Sequence, residues 1–183
     1  MRKPTIKLLL VAMILLTIPS PSFAQQRLRF DGVPVRGNMM TVVNRLRHRG
    51  WTLTEAADYA ATLDGRWAGM DGVTVTVFKD NGGKGVAGVG VLVPCDLSWT
   101  DIHEKWDAVI SDVSFAWGNP TLYDESFSGG SPENDAERLL ALQAGRCRDV
   151  ARWVSAGGTI EAVPAFISYT YCILVRYAIT TIK

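Results

Sequence analysis

An α+β fold is predicted, with two helix-plus-antiparallel-meander halves packed as a single compact unit. Three observations carry this. Val73–Phe78 and Gly85–Val93 alternate between apolar and small or polar residues with the two-residue period of a half-buried strand. Trp99–Trp117 repeats its apolar residues every three or four positions, the period of an amphipathic helix. The order of helix followed by strands then occurs twice along the chain.

The first element is Leu28–Phe30 followed by Val33-Pro34-Val35, a short segment whose proline places it at an edge. Asn38 caps a helix with Met39, Val42, Val43 and Leu46 on its apolar stripe, and Gly50 ends it. After Trp51 a polar linking stretch is expected as far as Asp64. A three-strand meander follows, from Arg66-Trp67-Ala68 through Val73–Phe78 to Gly85–Val93, turned by Gly69–Gly72 and Asp80–Gly83. Ser98 is the expected N-cap of the long helix, with Asp101 complementing its dipole, and Gly118-Asn119-Pro120 closes it.

Leu122–Phe127 reads as a strand and Ser128–Glu133 as an exposed loop. Asn134 and Glu137 form a capping box for a helix through Leu139, Leu140 and Leu142 to Gly145. Cys147–Val154 is ambiguous between helix and strand, with strand preferred. Ala156-Gly157-Gly158 then turns the chain into Thr159–Val163. The C-terminal segment alternates from Ile167 to Ile179, with Tyr169, Tyr171 and Tyr177 on one face. A strand this long requires a bend or bulge. The halves correspond to residues 25–95 and 96–183, although no residue-level repeat supports a duplication.

Residues 1–24 have a different character. A cationic start, Arg2, Lys3 and Lys7, precedes the apolar run Leu8–Ile18, and Ser22 and Ala24 offer small residues before Gln25. This is the pattern of a cleaved secretory signal peptide, with an apolar run too short for a stable membrane span. The expected location is periplasmic or secreted, with no transmembrane anchor after cleavage. Cleavage reduces 19 basic residues to 16 against 18 acidic ones, a net charge of −2. That balance argues against a nucleic-acid partner. Charge is uneven, because residues 25–50 hold six arginines, including Arg45 and Arg49, against Asp31 alone. The segment either attracts the acidic remainder of the fold or offers a basic surface to an anionic glycan or lipid headgroup. Cys95, Cys147 and Cys172 allow one disulfide with one thiol left over, and the sequence does not select the pair.

No catalytic constellation is visible. His48 lies near a helix end, where it complements the dipole. His103 and Asp107 are four residues apart on one helix, but a catalytic zinc site needs a third protein ligand, and the sequence shows none. No metal or cofactor is therefore expected. No Gly-x-Ser-x-Gly elbow occurs, Cys147 between Arg146 and Arg148 has no catalytic partner, and Asp124-Glu125 reads as a pair of solvated loop acids. Gly82-Gly83-Lys84-Gly85 lacks the spacing and following helix of a phosphate loop. The aromatic residues are the remaining feature. Tyr169, Tyr171 and Tyr177 are the candidate binding residues, with Arg45 and Arg49 from the basic segment. They fit core packing with hydroxyls at the rim, or an open face for a protein or sugar partner.

Leu28–Gly37, the helix ending in Gly50-Trp51, the hairpin at Gly65–Gly72, Trp117-Gly118-Asn119-Pro120 and the run Gly145…Trp153…Gly158-Thr159-Ile160 together resemble a group of small exported bacterial proteins of uncharacterised function. That resemblance implies export and no known catalytic residue. The element order is also similar to the β-lactamase inhibitor protein type of tandem helix-and-sheet fold, an analogy of architecture that does not transfer function. The functional expectation is a non-catalytic binding or interaction module with an envelope or extracellular protein as partner. The alternatives are a hydrolase of unrecognised type and a structural envelope component.

Overall fold

The computed structural model describes residues 27–83 and 85–180. Residues 1–24, where a signal peptide is expected, lie outside the described residues. The fold is mixed α+β and mostly sheet. A two-stranded sheet, β1 (Arg29–Phe30) and β2 (Val33–Pro34), precedes helix α1 (Met39–Arg47). Four strands follow: β3 (Thr52–Ala56), β4 (Ala60–Trp67), β5 (Met70–Lys79) and β6 (Val86–Cys95). Then come α2 (Trp99–Trp117), β7 (Leu122–Asp124), α3 (Asp135–Gln143), β8 (Val150–Ser155), β9 (Gly158–Ile167) and β10 (Thr170–Ile179). Strands β3 to β10 make one antiparallel sheet in the order β3-β4-β5-β6-β10-β9-β8-β7.

The helices form where their caps are. Asn38 accepts from the Met40 amide at 2.9 Å, and Met39, Val42, Val43 and Leu46 are the buried stripe of α1. Ser98 caps α2, which buries Ile102, Trp106, Val109, Val113 and Trp117. At α3 Asn134 accepts from the Glu137 amide at 3.0 Å, while the Glu137 carboxylate reaches back one residue beyond the cap and accepts from the Glu133 amide at 2.8 Å, a variant of the capping box. Helix α1 packs on β3, β4 and β5, α2 on β6, β9 and β10, and α3 on α2 and β9.

Beneath the helices the strand positions that point inward are buried as a row. Leu63, Val75, Val91, Val175, Ala162 and Ala151 are all fully excluded from solvent. Each opposes its neighbour in register across six strands. Because side chains alternate along a strand, the other face of the sheet carries Thr74, Thr76, Phe78, Gly88, Gly90, Leu92, Leu174 and Arg176. Among the described residues no helix packs on that face, and none is long and apolar enough to cross a membrane.

Four expectations are corrected. The stretch between Trp51 and Asp64 is not a linker, since it forms β3 and the start of β4, so the first meander has four strands. β3 is an exposed edge whose threonines and Glu55 give no apolar alternation. The C-terminal alternation is not one bent strand. It is a hairpin, β9 to β10, turned at Ser168-Tyr169 with φ of 50° and 66°. This inverts the register, so Phe166 and Tyr171 oppose each other and Ile167 opposes Thr170. Finally, regular strand in the Cys147–Val154 region begins at Val150, and the expected strand at Leu122–Phe127 stops at Asp124. Phe127 and Cys147 form only an isolated bridge.

The three cysteines are free. Cys95 opposes Tyr171 on the helix-covered side, and Cys172, the next residue along β10, points to the opposite face. Burial raises all three thiols, Cys95 and Cys147 to about 12 and Cys172 to about 11. The thiolate is the reactive form. All three are therefore expected to alkylate slowly with iodoacetamide at neutral pH in the folded protein. All three should alkylate fully after denaturation without reductant, as counted by intact mass.

Asp112 on α2 gives a pH prediction. Burial raises its carboxyl above the ordinary range, the Asp31 charge adds to this, and a hydrogen bond from Trp67 opposes it. The folded state therefore holds this proton more tightly than the unfolded chain. Its contribution favours folding at acid pH and is lost as pH rises through the raised value. Asp112→Asn, which keeps the acceptor, is expected to raise the Tm at neutral pH. That gain should vanish below the ordinary aspartate range in a pH series of thermal melts.

Candidate functional site

The uncovered sheet face is organised around the β5-β6-β10 seam. β6 contributes Gly88 and Gly90, which oppose Phe78 and Thr76 on β5 and Ala178 and Arg176 on β10. Two side chains are thus missing from the middle of the face. The result is an open hollow of about 520 Å³ with Gly88 and Gly90 at its floor, and Phe78, Leu92, Leu174 and Thr76 around it. The Phe78 ring leans over Gly90, where an added Cβ would stand 3.2 Å from Phe78 Cε2. Phe78 is nevertheless 44 % exposed. Strand pairing alone makes this hollow, so no single segment of sequence announces it.

One edge of the hollow is charged. Arg176 lies in register with Glu161 on β9, and Glu161 with Arg152 on β8. Arg152 donates to Glu161 Oε2 from Nε at 2.9 Å and from Nη2 at 2.5 Å. Arg176 Nη1 is 3.9 Å from the other carboxylate oxygen, and its side chain is 62 % exposed. Glu161 is therefore held by Arg152, and the Arg176 charge is the less committed of the two, standing beside an apolar hollow.

The sequence-singled residues lie elsewhere. Tyr171 and Tyr177 share a face of β10 as expected, but it is the face under the helices, where they are 5 % and 4 % exposed. Tyr177 packs edge-on to Phe30 at 5.4 Å, and Tyr171 accepts from Gln143 Nε2 at 2.6 Å. Tyr169 is not on the strand. It sits in the β9–β10 turn, 94 % exposed. Arg49 makes a two-point contact with Asp31, from Nε and Nη2 at 3.1 Å each, and Trp51 Nε1 donates to the same carboxylate at 3.0 Å. The pair lies within the basic segment itself. Arg45 is exposed in the last turn of α1. The structure does not bring these five residues together: Arg49 and Tyr177 line one pocket with Asp31 and Asp112, and Tyr177, its side chain turned inward, borders the hollow of the uncovered face along its backbone.

A second cluster was only half visible in the sequence. His103 and Asp107 share a face of α2, and the turn after β7 brings Glu125 beside them, with ligand atoms all within 4.8 Å of one another. Trp106 Nε1 donates to Glu125 Oε1 at 2.9 Å, and the Tyr123 hydroxyl donates to the same oxygen. Compared with protein-family models, curated proteins and solved structures, the chain matches none.

Proposed function

We propose that this protein is an exported, non-catalytic binding module. Its uncovered sheet face docks an apolar, acid-bearing segment of an envelope or extracellular protein. The carrying observation is an eight-stranded sheet with helices on one face and a glycine-floored apolar hollow on the other, with Arg176 at its rim. Aromatic and aliphatic side chains around a concave floor supply area for an anchor residue. The weakly committed guanidinium supplies a partner for a carboxylate. Export rests on the character of residues 1–24. The strand order also supports reading the sheet as two helix-plus-meander halves, 25–95 and 96–183, joined at the β6–β10 seam. That arrangement keeps the likeness in element order to the β-lactamase inhibitor protein type of fold.

Crosslinking in the cell envelope identifies the partner, and substitutions then locate the surface. Phe78→Asp and Arg176→Glu change exposed side chains, so the fold is retained. Each is expected to weaken partner binding at least about tenfold, the effect of losing one hot-spot contact. Phe115→Asp, on the exposed side of α2, is expected to leave binding unchanged. Loss with Phe115→Asp and retention with the other two would overturn the assignment.

A further inference from the structure

We propose that His103, Asp107 and Glu125 form a binding site for a divalent transition-metal ion of the zinc type, separate from the uncovered sheet face. His103 and Asp107 are one helical turn apart on α2, so they project from the same face. Glu125 comes from the turn after β7, on the far side of a pocket of about 550 Å³. In a tetrahedral zinc centre with bonds of about 2.1 Å, ligand atoms stand roughly 3.4 Å apart. Side chains whose ligand atoms already lie within 4.8 Å close to that spacing by rotamer adjustment, without backbone movement.

The third ligand is held in place. Trp106, buried in the core, and Tyr123 both donate to Glu125 Oε1. Among the described residues no hydrogen bond engages Oε2, which is left for a cation. Outer hydrogen bonds of this kind fix a carboxylate ligand and tune its affinity. The surroundings favour positive charge. Glu104, Asp135 and Asp149 also line the pocket, and its one arginine, Arg138, is paired with Asp135 at 2.9 Å. One imidazole with two carboxylates suits a borderline cation better than calcium or magnesium, which take oxygen ligands alone. Three protein ligands leave a coordination position for water.

The test is a zinc titration, by calorimetry, of chelator-treated protein produced from its full coding sequence. One equivalent of zinc is expected to bind saturably. His103→Ala and Glu125→Gln should each weaken binding more than about tenfold, and Tyr123→Phe, which removes no ligand, by about tenfold. Glu104→Gln, in the same pocket but outside the triad, should stay within about twofold of the parent. All four residues are exposed, so circular dichroism is expected to confirm that the variants fold. X-ray absorption of the zinc-loaded protein should show one imidazole. Absence of saturable binding would overturn the proposal. So would parent-like affinity in His103→Ala and Glu125→Gln, or an equal loss in Glu104→Gln, which would reduce the effect to pocket charge.

Discussion

Phe30→Ala is expected to lower the unfolding free energy by about 3–5 kcal/mol, the usual cost of truncating a fully buried phenylalanine. Phe30 belongs to a two-residue strand outside the main sheet, yet it is the hub of the aromatic core. Its ring lies 5.5 Å from Trp51, 5.5 Å from Trp67 and 5.4 Å from Tyr177, tilted or edge-on to each. Those partners come from the turn after α1, from the end of β4 and from β10. One ring therefore ties the N-terminal segment to both the near and the central part of the sheet. Three large indole and phenol rings cannot collapse into the space left, so the cavity term adds to the lost transfer energy. The check is a denaturant titration, in which the midpoint falls while the slope is unchanged. Phe30→Leu, which refills most of the volume, should recover the larger part of the loss.

Gly88→Ala is the second large effect, expected to cost about 3 kcal/mol or more, above the range of ordinary overpacking. A Cβ on Gly88 would sit far inside contact distance of the Tyr177 carbonyl oxygen. Gly158, on the strand at the other side of β10, presses in the same way on the Ala178 carbonyl. The end of β10 is thus gripped between two glycines, and the obstruction is backbone, which cannot swing aside as a side chain does. Gly88→Ala should part the β6–β10 seam at that end. Amide exchange would then speed selectively at residues 176–179. By contrast, an added Cβ at Gly90 meets only the edge of the Phe78 ring. Gly90→Ala is accordingly expected to fold with a far smaller loss.

The contrast between these glycines shows where the sequence is readable. The caps at Asn38, Ser98 and Asn134 and the stripes behind them are local signals, and the structure has helices at all three. The alternation of Val73–Phe78 and Gly85–Val93 likewise marks β5 and β6. What was not legible depends on weak or absent punctuation. The β9–β10 turn uses Ser168 and Tyr169 at positive φ, without the glycine, asparagine or proline that ordinarily marks such a turn. Missing it merged two strands into one and assigned Ile167 to the wrong face. The face bearing Tyr171 and Tyr177 could not be told apart as covered or uncovered, because alternation defines two faces but not which one receives the helices. Gly88 and Gly90 stand in plain view in the sequence, but only Gly88 presses on neighbouring backbone. The hollow itself needs Phe78 from one neighbouring strand and Arg176 from another, 98 positions apart in the chain. Glu125 joins His103 and Asp107 for the same reason: only topology places a post-β7 turn beside α2.

The claim that the uncovered sheet face is the docking surface is most directly tested by site-specific photocrosslinking in the native cell envelope. A photoreactive residue is placed in turn at Thr76, beside the hollow, and at Phe115, on the exposed side of α2. A single protein adduct is expected from Thr76, with the crosslinked site in an apolar segment that carries an acid, and abolished by Arg176→Glu. No such adduct is expected from Phe115. The same adduct from Phe115 and none from Thr76 would place the partner on the helix side and overturn the assignment of the uncovered face.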